Sequence, residues 1–228
     1  MLTGWDRQYP VESNPNYEPG PDASVQGIAS AIHKDPAEVA YDAMMEHNGG
    51  GLLYTPLLNY AGGNLEDVRQ MLEHPATVVS LSDGGAHVQA LCDGASPTFM
   101  LTHWVRDRKA GSGRVALEQA IKWQTSDTAS LYGLLDRGRL EPNLLADINI
   151  IDLSRLKLGM PYLASDLPAG CSRFLQKADG YAATIKSGVV TFRDGEPTGV
   201  RPGRVIRGAR TRYIGSRARG SLIPAAER

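Results

Sequence analysis

The sequence predicts an α/β fold followed by a β-rich layer, and three observations carry that expectation. Helical and extended patterns alternate through the first third of the chain: helix 36–47, strand 52–55, helix 65–73, strand 77–82. That alternation is the rhythm of a sheet covered by helices. The run Thr77-Val78-Val79-Ser80-Leu81 is short, β-branched and apolar on both faces, as in a parallel strand buried from both sides. From Gly138 onward, short apolar runs are separated by Gly, Pro and Asp turns, the texture of a small β-rich unit.

Each element has a local reason. Residues 1–34 are punctuated by Pro10, Pro15, Pro19 and Pro21 and read as an irregular stretch. Asp35-Pro36-Ala37-Glu38 then opens a helix, with Asp35 as cap, Pro36 at the first helical position and Glu38 completing a box-like pattern. Val39, Ala43 and Met44 give this helix an apolar side, and Gly49-Gly50-Gly51 ends it. Leu52 to Thr55 make a short strand. Asn64 caps the next helix, with Leu65, Val68, Met71 and Leu72 on one face, and His74-Pro75 stops it.

Two helical segments follow, over roughly 98–109 and 115–132. Strands are then expected over 148–153, 181–187 and 189–193, with Ser187-Gly188 and Asp194-Gly195 as tight connections. Beyond residue 207 little apolar periodicity remains. Arg207, Arg210, Arg212, Arg217 and Arg219 fit a solvated basic end. The division expected is 1–136, 137–207 and a tail over 208–228.

Composition narrows the function classes. With 24 basic and 25 acidic residues the formal net charge is -1, so nucleic acid, which selects a basic surplus, is not an expected partner. No apolar run approaches the roughly 20 residues that cross a bilayer, so no membrane partner is expected either. The N-terminus lacks the apolar segment of a signal peptide. Cys92 and Cys171 form no CxxC pair, which fits a reducing, cytoplasmic setting.

Asp83 is the leading candidate for chemistry. It follows the apolar 77–82 run directly, and Gly84-Gly85 let the backbone turn sharply behind it. The carboxyl ends of parallel strands are where active sites are built. A carboxylate there can bind a metal or accept a proton from an attacking water. The plainer alternative is a turn aspartate, because Asp-Gly is a common turn pair.

Leu81-Ser82-Asp83-Gly84-Gly85-Ala86-His87 and Thr102-His103-Trp104 resemble the last barrel strand and following loop of the N-acyl-D-amino-acid deacylases (D-aminoacylases), a group within the amidohydrolase superfamily. Further motifs follow in the group's order: Thr125 to Leu131, then Gly138-Arg139-Leu140-Glu141-Pro142-Asn143-Leu144-Leu145-Ala146-Asp147-Ile148. Asp194-Gly195-Glu196-Pro197-Thr198-Gly199 and Pro202-Gly203-Arg204 resemble its closing segment. Asn143 stands where the group has Gly, a tolerable exchange because Asn also accepts left-handed backbone. The resemblance covers about residues 35 to 207. It implies the C-terminal part of a (β/α)8 metal-dependent hydrolase barrel followed by a small β-sandwich-type domain. Zinc would activate water against a linear amide of an N-acyl-(D-)amino acid, and Asp83 would move the proton from the water to the leaving amine.

One departure matters. The group's His-x-His pair is absent from this chain. Zinc takes roughly three or four ligands, so Asp83 alone cannot hold it, and the isolated chain is expected to be inactive. The expected partners are therefore a small N-acyl amino acid and either the missing N-terminal barrel half or a second copy. His87 and Asp93 are candidates for substrate binding; their plain alternatives are a loop histidine bonded to local backbone and a solvated loop acid. No arginine lies in 88–97 to hold a substrate carboxylate. His103 is expected to pack or lie at the surface, and His33, His47 and His74 to sit at helix edges. Cys92 has no His-Asn pattern to make it a nucleophile, and Asp147 belongs to a β-domain turn. A non-catalytic remnant or interaction module, or a cyclic-amide hydrolase like dihydroorotase or hydantoinase, are the alternative readings.

Overall fold

The computed structural model describes residues 4–79, 87–109, 111 and 113–207. The N-terminal stretch is more ordered than its prolines suggest. β1 (Tyr9–Pro10) pairs antiparallel with β2 (Leu53–Tyr54), and α1 (Val25–Ile32) starts where the Ser24 hydroxyl accepts a hydrogen bond from Gly27 N. This helix corrects the expectation of an irregular 1–34. Four prolines masked a Ser cap followed by apolar Val25, Ile28, Ala29 and Ile32 at helical spacing.

α2 (Pro36–Gly49) begins as expected, with Asp35 accepting from Ala37 N at 2.7 Å. Glu38 does not close a capping box; it reaches Lys34 instead, at 3.2 Å. The regular turns end early, because His47 and Asn48 take left-handed backbone. The buried face is Val39 and Ala40, which close on Val25 and Ala29 of α1, while Met44 turns outward. α3 (Glu66–Glu73) is fixed by Asn64 Oδ1, which accepts from Glu66 N. Its Leu65, Val68 and Leu72 side meets the main core, and Met71 faces solvent.

The expected strand 77–82 is not borne out over its described part: 77–79 have no regular structure, although Val78 and Val79 are half-buried. Residues 80–82, and Asp83 with them, lie outside the described residues. Among the described residues every strand pairing is antiparallel, so the parallel sheet expected from the alternation does not occur there.

The two later helices are found, but each is partly π-helical. α4 (Ser96–Phe99) runs directly into a π-helix over Met100–Asp107. α5 (Leu117–Lys122) leads through π-helical Trp123–Asp127 to α6 (Thr128–Leu131). Hydroxyl groups bond back along both: Thr102 Oγ1 to Thr98 O and Thr125 Oγ1 to Ile121 O. Such back-bonding competes with the helix ladder and bends it. The core formed here contains Met100, Leu101, Trp104, Val115, Ala120 and Trp123.

The C-terminal half is β-rich, as expected. Its main sheet has the order β10-β9-β8-β3, with β3 (Ile148–Ile151), β8 (Tyr181–Lys186), β9 (Val189–Arg193) and β10 (Glu196–Pro197). Both predicted tight turns form: Ser187-Gly188 and Asp194-Gly195 all have positive φ, the conformation that joins antiparallel strands compactly. Two small ladders lie beside it, β4 (Lys157–Leu158) with β7 (Ala178–Asp179) and β5 (Tyr162–Ala164) with β6 (Arg173–Leu175). This half shares the helical core through fully buried Leu156. Arg106 Nη1 donates to the carbonyls of Leu153 and Leu156, and the hydroxyls of Thr98 and Tyr181 meet at 2.7 Å. No described helix is long and apolar enough to cross a membrane.

Candidate functional site

A cavity of ≈ 1060 Å³ opens where the N-terminal arm, α3, the 90–97 loop and the β-rich half converge. Leu53 and Tyr54 of β2 form one side, and Leu65, Val68 and Leu72 of α3 another. Phe99, Met100 and Trp104 line it from the α4 helix and its π-helical continuation, and Leu158, Phe174 and Gln176 from the β-rich half. Its volume is that of a site for a small molecule.

Tyr17 is the best-held polar group in the wall. Its ring stands edge-on to Tyr54 at 5.2 Å and to Phe99 at 5.6 Å, and Gln176 Nε2 donates to its hydroxyl oxygen at 2.9 Å. Burial pushes the Tyr17 phenol up to about 12, against the lowering effect of the Gln176 bond. The Tyr54 phenol is raised as well, by burial first and then by the neighbouring Tyr17. Both are therefore neutral hydroxyls at physiological pH. They can donate a hydrogen bond and cannot serve as a base. Burial, reinforced by Asp93, also raises the Cys92 thiol, which removes it as a nucleophile. Cys92 and Cys171 are both free thiols.

Behind Tyr17 lies a buried ion cluster that local patterning does not announce. The Arg108 side chain is fully buried and donates to both Glu18 oxygens at 3.0 Å. It also reaches Glu66 Oε2 at 3.3 Å and the Gly113 carbonyl at 3.0 Å, and sits 4.9 Å over the Trp104 ring. Leu65 N donates to Glu18 as well. Burial alone would raise the Glu18 carboxyl, but the bonds from Arg108 and Leu65 outweigh it and hold the group below the usual carboxylate range. The cluster ties the arm that carries Tyr17 to α3 and to the end of the π-helix.

His103 stacks on Phe99 with ring centroids 4.5 Å apart. Its Nε2 lies 2.9 Å from Glu18 Oε2, yet that atom has no aligned hydrogen-bond partner among the described residues. We take the contact as a close charge approach. Burial holds the His103 imidazole below its ordinary value, with Glu18 opposing. This histidine packs, as expected. His33 and His74 close α1 and α3, and His47 takes left-handed backbone near the end of α2.

The sequence candidates are distributed unevenly around the cavity. Asp93 lines it, next to Cys92. His87 is exposed, takes left-handed backbone and accepts from Ala90 N and Leu91 N through its carbonyl; its side chain is not among the cavity-lining groups. Asp147, just before β3, braces the Ser187-Gly188 turn of the β-rich half: it binds Lys186, Ser187 N and Arg137. Among the described residues no group of three or more His, Cys, Asp or Glu is gathered so that it could hold a metal ion. They do not by themselves fit a zinc centre.

Tyr17, Glu18, Arg108 and Gln124 were not singled out by sequence reasoning. Glu18 and Arg108 are 90 residues apart, and no local pattern links them. Gln124, on the Trp123–Asp127 π-helix, lines the cavity, and its Nε2 is buried with no partner among the described residues.

The sequence model of the amidohydrolase family matches residues 20–192. No curated protein matches significantly. Among solved structures, a D-aminoacylase mutant in complex with copper chloride aligns at 21% identity with a TM-score of 0.46, over 89% of this chain and 38% of that one. The chain thus spans well under half the length of that structure.

Proposed function

Since the chain belongs to the amidohydrolase family, matched over residues 20–192, we propose that it forms the C-terminal portion of a metal-dependent enzyme that hydrolyses the linear amide of an N-acyl-(D-)amino acid. The observation that carries this reading is the family match, which contains the Ser82-Asp83-Gly84-Gly85-Ala86-His87 motif and the Gly138 to Ile148 element in order. Asp83 is the proton carrier: it accepts a proton from the attacking water and returns it to the departing amine. In sequence it follows Val79, a wall residue of the cavity, by four positions.

Zinc is the metal this reading expects, and Asp83 is able to serve as one ligand. The described residues do not complete the set, so the reading assigns the remaining ligands to an N-terminal barrel portion. Tyr17, held as a neutral hydroxyl that accepts from Gln176, offers its own proton to a substrate carbonyl. His87 and Asp93 are the proposed contacts at the loop after Asp83. The enzyme acts on a small molecule in the cytoplasm, without nucleic acid or membrane.

The test is to read the DNA upstream of the Met1 codon and express the whole locus with zinc. An in-frame His-x-His after an apolar run, together with release of free amine from N-acyl-D-amino acids, is expected. A stop codon with unrelated sequence upstream, and no amine released, would leave a non-catalytic module.

A further inference from the structure

The cavity has a chemical bias beyond that of an amide hydrolase of unspecified substrate. Asp93 is the one charged side chain among its described lining residues. The other groups are aliphatic, aromatic or neutral polar. Such a wall has no cationic side chain to hold a phosphate, and its hydroxyl and amide groups are outnumbered by aliphatic and aromatic side chains. Within it one buried donor, Gln124 Nε2, has no partner among the described residues. An amide N–H buried without an acceptor is costly, and an oxygen acceptor delivered by a ligand would relieve it. A volume of ≈ 1060 Å³ also far exceeds what an acetyl group fills.

We propose that this cavity binds a medium- to long-chain aliphatic acyl group, with the acyl carbonyl oxygen accepting from Gln124 Nε2. This rests on the hydrolase reading and sharpens it: the substrate class becomes fatty-acyl amides of amino acids rather than N-acetyl amino acids. Leu53, Val68, Leu72 and Phe99 cover the chain, leaving the head group towards the opening. Tyr17, a neutral donor pinned by Gln176, is a specificity residue at the polar side of the tail.

The experiment measures binding and needs no turnover. The 228-residue protein is titrated with N-acetyl-, N-butanoyl-, N-octanoyl- and N-dodecanoyl-D-alanine below their micelle concentrations, read by the fluorescence of Trp104 in the wall and by calorimetry. Each methylene that enters an apolar site tightens binding by about fourfold, so affinity should climb steeply along the series until the cavity is filled. Gln124→Leu, which deletes a buried donor and is expected to fold at least as well, should weaken every long-chain ligand by roughly two- to tenfold and leave the methylene increment unchanged. Affinity independent of chain length, or no binding of any member, overturns the proposal. Unaltered binding by Gln124→Leu overturns the assignment of the carbonyl. A zinc-loaded product of the whole locus that turns over N-acetyl but not N-dodecanoyl substrates would keep the hydrolase reading and sink this one; long-chain binding without any turnover would do the reverse.

Discussion

Replacing Arg108 with Met should destabilise the protein far more than an ordinary surface change. Arg108 is buried, and it supplies two charge-assisted bonds at 3.0 Å to Glu18, whose side chain is only 4% exposed. Methionine approximates the stem and keeps the packing against Trp104, but leaves Glu18 ionised, buried and served, among the described residues, by Leu65 N and the off-axis His103. Breaking one partner of a buried pair costs about 3–5 kcal/mol, whereas replacing both with apolar groups is often close to neutral. The double variant Glu18→Leu with Arg108→Met should therefore lie at least about 2 kcal/mol above Arg108→Met alone, even though Leu65 N and Glu66 lose a partner. Equilibrium urea unfolding at pH 7, followed by tryptophan fluorescence, measures both. An Arg108→Met cost below about 1 kcal/mol, or a double variant as unstable as the sum of its singles, would refute the claim that this pair locks the arm to the core.

Further outcomes follow from the same structure. The lowered His103 value means that the unfolded chain binds more protons than the folded one just below pH 6.5, so stability should fall as pH drops through that window, by at most about 1.4 kcal/mol per unit. His103→Phe, which keeps the stack on Phe99, should flatten this slope in pH-dependent urea unfolding; an unchanged slope assigns the effect elsewhere. The lowered Glu18 carboxyl acts in the same direction but further down, its contribution being lost as pH falls below about 4.3 through its folded value. Gly180 has φ +98, and an added Cβ would meet Leu156 Cα at 2.6 Å, so Gly180→Ala should cost at least about 2 kcal/mol; a neutral result in thermal unfolding would contradict the backbone path there. Leu57, Leu58, Tyr41 and Met45 are exposed, and surface of that kind promotes association. Sedimentation velocity should show oligomers that Leu58→Lys reduces, while a clean monomer counts against an unfinished apolar surface.

Local chemistry made much of the fold legible, because it is written within a few residues. Asp35-Pro36 started α2, Asn64 held the start of α3, and Ser187-Gly188 and Asp194-Gly195 turned the strands of the sheet. Where two signals competed, the louder one misled: the prolines before Ser24 hid a sound helix cap. Pairing direction was not legible, since β2 finds its partner in Tyr9–Pro10 more than 40 positions away. The candidate site was harder still. A proton carrier after an apolar run can be suspected from spacing, but a wall assembled from Tyr17, Leu72, Gln124 and Gln176 exists only after tertiary packing. The π-helical turns that place His103 and Gln124 also shift side chains off the 3.6-residue period from which helical faces are inferred.

The central claim is that this chain contributes the proton carrier of a metal-dependent amide hydrolase, and Asp83→Asn in the zinc-loaded product of the whole locus tests it most directly. Amine release from N-acyl-D-amino acids should fall by roughly 10²- to 10⁴-fold, the usual contribution of general acid–base catalysis, with the protein still folded. Turnover equal to that of the unaltered protein would contradict the account.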